Sequence, residues 1–144
     1  MSHLRRRTFH RATFVAAGVY NLAWGAVSAL RPGWFFQLAG MEPPRYPEIW
    51  ACLGMVIGLY GVLYLEVARV PERGALLAGV GLAGKVLGPL GFATLVLQGR
   101  WPVESAFLVI TNDLIWWIPF GLYLHDVWSF RTMSSEDVCT GKEP

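Results

Sequence analysis

Four long apolar tracts, nearly free of charge, constrain this chain more than any other feature. No charged residue falls between Arg11 and Arg31. A second tract runs from Glu48 to Ala68 and is closed by Arg69; a third runs from Gly74 to Leu97, and a fourth from Val103 to Leu124. Each reaches the ~20 residues that a helix needs to cross the hydrocarbon core of a bilayer. Lipid offers no partner to backbone N–H and C=O groups, so each tract must satisfy its own as a helix. Only 15% of the residues are charged, against roughly a quarter in soluble domains, and the mean hydropathy is +0.41. A soluble fold would need water-facing helix surfaces, which these tracts do not supply.

The expected fold is therefore all-α: an integral membrane, antiparallel four-helix transmembrane bundle forming a single domain over residues 1–144. Helices are expected at about 12–30, 48–68, 74–97 and 103–124, with a basic N-terminus over 1–11 and a polar, disordered tail over 129–144. The segments 69–73 and 98–102 are long enough only for tight hairpins. Between the first two helices, Arg31-Pro32-Gly33-Trp34-Phe35-Phe36 reads as a short aromatic segment at the membrane interface. Pro43, Pro44 and Pro47 then enforce an extended return.

Basic residues assign the sides. Arg5, Arg6, Arg7, Arg11, Arg69, Arg73, Arg131 and Lys142 fall on one side; Arg31, Arg45 and Arg100 fall on the other. The positive-inside rule then puts both termini in the cytoplasm. A basic start before an apolar tract also fits a cleaved signal peptide, cut after Val27-Ser28-Ala29. The tract is long for that purpose and carries Tyr20, Asn21 and Trp24, which favours a retained helix.

Two ionisable residues lie deep within the tracts. Lys85 is twelve residues from Arg73, and Asp113 is twelve residues from His125. At 1.5 Å per residue both sit ~18 Å from the same surface, near the midplane. A lone charge there costs roughly 2.5–3.5 kcal/mol on insertion scales, which pairing relieves. A Lys85–Asp113 contact is therefore expected, either as a structural ion pair or as a working site. Asn21, ten residues from both Arg11 and Arg31, reaches the same depth. Trp24, Tyr60, Trp116 and Trp117 would complete a site for a flat amphipathic ligand if they face this cluster; facing lipid or the core is the equal alternative.

Each tract also carries a stripe of small or polar residues: Gly18, Asn21, Gly25 and Ser28; Gly54, Gly58 and Gly61; Gly81, Lys85 and Gly88, flanked by Gly84 and Gly91; and Val109, Asp113, Trp116 and Phe120. Small residues let helices approach closely in lipid, so packing explains most of them. Gly84 and Gly88 are expected at a close helix contact. Pro89 and Pro119 each remove one helical hydrogen bond near the ionisable pair.

Other chemistries find no support. The arginines flank apolar segments and form no basic face, which argues against nucleic acid. Cys52 and Cys139 are expected as free thiols on opposite sides. His3, His10 and His125 supply no intramembrane pair for haem. No cluster has metal-ligand spacing, no glycine-rich phosphate loop follows a strand, and no serine sits in a nucleophile motif. Neither a metal nor a cofactor is expected.

The layout resembles that of the DoxX-like group of small bacterial four-helix membrane proteins. The resemblance rests on Tyr20-Asn21 and Trp24-Gly25, the hinge Arg31-Pro32-Gly33-Trp34-Phe35, a glycine-rich second helix ending near Pro71, Gly84-Lys85, and the acid Asp113. It spans residues 12 to 125 and implies a membrane-embedded accessory or redox-associated protein of the bacterial inner membrane.

The leading expectation is a non-enzymatic bundle whose cluster of Asn21, Lys85 and Asp113 binds an apolar or quinone-like ligand, a membrane-protein partner or a second copy. An intramembrane isomerase acting on a lipid-like substrate is the alternative, with Asp113 as acid/base and Lys85 adjusting its proton affinity. An oligomeric proton-coupled carrier is the third.

Overall fold

The computed structural model describes residues 3–140, and side chains over 6–129. Four helices are long and apolar enough to cross a membrane, over Arg6–Leu30, Pro47–Arg69, Ala75–Leu97 and Val103–Ser129. Among the described residues there is no strand. The protein is a multi-pass membrane protein of the bundle type. Leu76 is 77% exposed, Ile118 76% and Leu87 66%, as expected of side chains that face lipid.

Helix α1 (His3–Leu30) carries the basic N-terminus in its first turns. A one-turn helix α2 (Trp34–Leu38) follows, then α3 (Pro47–Arg69) and α4 (Ala75–Leu97). Pro47 opens α3 where its missing N–H is not needed. The last span is discontinuous: a 3₁₀ turn (Val103–Ser105), the short α5 (Ala106–Val109), a π-turn (Ile110–Leu114), and α6 (Ile115–Thr140). The sequence predicts one regular helix over 103–124, and the π-turn corrects that expectation. Pro119 has no N–H to offer the Ile115 carbonyl, and the helix widens one turn before it. Over the stretch from 129 expected to be a disordered tail, α6 continues as helix to Thr140; residues 141–144, and the side chains beyond 129, lie outside the described residues. The Cys139 side chain is among these, whereas Cys52 is a free, exposed thiol.

Glycines set the pairing of α1 with α3. A Cβ added to Gly25 would stand 2.6 Å from the Gly54 carbonyl oxygen and the Gly58 Cα. One added to Gly61 would meet the Gly18 carbonyl oxygen at 2.6 Å, and one on Gly54 would meet Ser28 Cβ at 2.7 Å. The pairs 18 with 61 and 25 with 54 run in opposite directions, so the helices are antiparallel, backbone against backbone.

Two cores fill the bundle. Near the chain termini, Phe14, Ala17, Tyr64, Val67, Ala78, Phe120 and Tyr123 pack together, with the Phe14 and Phe120 rings 4.5 Å apart. At the opposite end α2 folds inward. Phe35 and Phe36 are buried against Trp50, at 4.9 and 5.0 Å between ring centroids, and Phe35 also meets Trp101 at 5.7 Å. The Trp34 indole donates to Ser28 Oγ at 3.1 Å, tying α2 back to α1. Gly40 leaves this turn with φ +65°, a backbone conformation suited to glycine.

Candidate functional site

Lys85 and Asp113 meet. Both residues are buried, with Lys85 Nζ 3.8 Å from Asp113 Oδ1. Their equal distance from the chain-terminal ends of α4 and the last span brings them level, as counted from the sequence. The ammonium has three protons to place. It donates one to the Asn112 carbonyl in the π-turn at 2.6 Å, and lies 5.8 Å from the Trp116 ring and 5.9 Å from the Tyr64 ring. Hydrogen bonding and cation–π contact thus supplement a rather long ion pair.

Asp113 is held asymmetrically. Its Oδ1 accepts from Asn112 Nδ2 at 2.8 Å, whereas Oδ2 makes no hydrogen bond among the described residues. That oxygen lies over Gly88, where an added Cβ would stand 2.9 Å from it. Gly88 is small because a carboxylate occupies the space beside it. Gly84 and Gly91 have nothing within 4 Å, so the close contact expected at Gly84 is absent and this edge of α4 faces outward. The reason is angular: Gly84 sits one residue, ~100°, round the helix from Lys85.

Trp117 has a structural task that explains its place. Pro89 cannot donate to the carbonyl four residues back, which is that of Lys85. The Trp117 indole donates to that carbonyl at 2.9 Å. It thereby satisfies a buried backbone group left open by the proline, and fixes α6 against α4 beside the ion pair.

A cavity of about 320 Å³ adjoins the pair, lined among others by Trp24, Trp50, Trp101, Gly88, Asn112 and Asp113. Among the described residues, several polar atoms with almost no accessible surface lack partners: Asn112 Oδ1, Trp24 Nε1 and Trp50 Nε1 belong to residues that line it, and Trp116 Nε1 and Asn21 Oδ1 to residues that do not. Each such atom costs roughly 1–3 kcal/mol if left unmade. A larger groove of about 730 Å³ between α4 and α6, at Leu76, Gly79, Val80 and Trp128, is lined by apolar residues only and carries no chemistry.

Of the residues expected at the site, Lys85, Asp113 and Trp116 come together, Trp117 joins through the Lys85 backbone, and Trp24 lines the cavity. Tyr60 does not: it packs on Tyr64 at 6.3 Å, outside the cavity. Asn21 is buried but forms no hydrogen bond to the pair among the described residues. Asn112, Trp50 and Trp101 are additions that sequence reasoning misses. Asn112 stands next to Asp113 in the chain, and that adjacency is the available signal.

A second polar group lies near the termini. Asp126 accepts from Arg6 at 2.6 Å and contacts His10 Nε2 at 2.9 Å, and it lies 3.6 Å from His125 Nδ1. With Arg7 to Glu72 at 2.9 Å, it clamps the start of α1 to α6 and to the turn between α3 and α4. Among the described residues no group of three His, Cys, Asp or Glu side chains is placed to hold a metal ion.

No protein-family model matches the chain, and no curated protein or solved structure matches it either.

Proposed function

We propose that the protein is a multi-pass accessory protein of the bacterial inner membrane that binds a flat, amphipathic, quinone-like ligand in the cavity beside Lys85 and Asp113. Both termini face the cytoplasm, on the distribution of basic residues beside the spans. The DoxX-like layout supports an accessory role, beside a redox system or as one copy in an oligomer. One observation carries the binding reading. A cavity lined by aromatic residues lies against Asp113, whose Oδ2 makes no hydrogen bond among the described residues. Convergent polar groups in an apolar recess are the usual form of a small-molecule site.

The Asp113 oxygen that lacks a donor also favours a second reading, in which it exchanges a proton with a lipid-like substrate and the protein is an isomerase.

Extraction of the protein purified in mild detergent, followed by mass spectrometry, tests the first reading. A lipophilic ring compound should be recovered near one per chain from the wild type, and be lost from Lys85→Met with Asp113→Leu. Recovery of phospholipid and detergent alone, with no tryptophan quenching by a quinone and hydroquinone panel, would refute it. Turnover of such a compound on incubation would favour the isomerase.

A further inference from the structure

Resting on the binding reading above, we infer that the cavity beside Asp113 is filled from within the bilayer, through a mouth on α4 at Leu87, Gly88 and Gly91. Its occupant is then a lipid-dissolved ring compound whose hydrocarbon chain stays outside. The position of the mouth follows from exposure. Of the residues that line the cavity, Leu87, Gly88 and Gly91 are exposed, and all the others are buried or half-buried. Leu87 is 66% exposed. The three share one flank of α4, because residues three and four apart stack on one side of a helix.

This flank is open because it lacks side chains. A Cβ added at Gly91 would have nothing within 4 Å. At Gly88 the nearest atom to such a Cβ is Asp113 Oδ2, at 2.9 Å, an oxygen that makes no hydrogen bond among the described residues. A head group that passes the mouth therefore arrives beside the carboxylate. Gly91 and Leu87 lie six and ten residues from Leu97, the last residue of α4, or about 9 and 15 Å along its axis. The hydrocarbon core of a bilayer is about 30 Å thick, so the mouth opens among acyl chains and not among head groups.

The end toward α2 is closed. Phe35 packs on Trp50 at 4.9 Å and on Trp101 at 5.7 Å, and Trp101 packs on Phe92 at 6.2 Å. All four rings line the cavity and none of them is exposed. A water-borne ligand would have to part these rings, whereas a lipid-borne one meets two glycines. The volume of about 320 Å³ is at the lower end for ligand pockets, and holds a fused ring but not a long chain. The chain therefore remains in the bilayer, along Leu87.

The test reads the saturable part of tryptophan quenching, with the full chain in phosphatidylcholine vesicles and each probe counted as the amount held in the membrane. For the unmutated protein the probes are 2-methyl-1,4-naphthoquinones that carry a trimethylammonium group on a propyl or on a dodecyl chain. A charge is costly in hydrocarbon, so the short chain keeps the ring near the surface while the long one lets it reach the mouth. The dodecyl probe should bind at least roughly tenfold more tightly. With 2-methyl-3-phytyl-1,4-naphthoquinone, Gly91→Phe should weaken binding at least roughly tenfold by filling the mouth. Gly84→Phe lies on the same flank but outside the lining, and should stay within about twofold of the wild type. Equal binding of the propyl and dodecyl probes, or equal behaviour of the two variants, would overturn the inference and leave the binding reading standing. Absence of saturable quenching by every probe would remove the binding reading, and the inference with it. The propyl and dodecyl comparison uses the unmutated protein, so it does not depend on a variant's folding.

Discussion

The bundle contains two kinds of helix seam. Between α1 and α3, glycines on both sides bring backbone within reach of backbone, and the contact is made of Gly18, Gly25, Gly54 and Gly61 with Ser28 and Leu22. Between α4 and the last span, the contact is made through an ion pair, a π-turn, a proline and an indole that replaces the proline's lost bond. A seam intended only to hold in lipid needs no charge, since small residues and dispersion suffice. The polar seam carries a desolvation cost that the glycine seam avoids, and the aromatic-lined cavity lies against it. Small-residue packing and polar packing are thus divided between different pairs of helices in one small domain.

The largest expected effect comes from breaking the polar seam on one side only. Lys85→Met or Asp113→Leu alone leaves a buried charge without its partner and should cost about 3–5 kcal/mol. Reversible unfolding in mixed micelles would measure this. A loss under about 1 kcal/mol for both variants would mean that each survivor is solvated, and that the seam is wet and loosely held.

Overpacking the glycine seam should come next. Gly25→Val places new atoms against the α3 backbone, which has no side chain to move aside, and should cost at least roughly 1–3 kcal/mol in the same assay. The same change at Gly84, which meets nothing within 4 Å, should stay within about 0.5 kcal/mol. Equal losses at the two positions would show that α1 and α3 are not in close contact.

A smaller effect sharpens the role of the proline. Trp117→Phe leaves the Lys85 carbonyl without its donor and should cost roughly 1–3 kcal/mol. In a Pro89→Ala background, where the helix supplies its own N–H, the same change should cost much less. Identical losses in both backgrounds would mean that the indole contributes packing alone.

Much of this contrast is legible in the amino-acid sequence. The four spans follow from apolar length, and the Lys85–Asp113 contact follows from counting residues inward from Arg73 and His125. The glycines of α1 and α3 are recognisable as a packing stripe for the same periodic reason. Three things are not legible. Gly84 stands beside a buried stripe, and periodicity alone does not say where such a stripe ends. Trp24, Trp50 and Trp101 belong to segments far apart in the chain, and only the inward fold of α2 gathers them around one cavity. Arg6 reads as a flanking charge that marks a membrane side, and only the antiparallel pairing of α1 with α6 shows that it and His10 clamp Asp126.

The most direct test of this division of labour is the double variant Lys85→Met with Asp113→Leu, measured for unfolding free energy and for hydroquinone binding on the same preparation. If the polar seam serves a ligand, the double variant should recover most of the stability lost by the single changes and bind the probe at least roughly tenfold more weakly than the wild type. A stable double variant that binds the probe as tightly as the wild type would contradict it, and would reduce the pair to a structural contact.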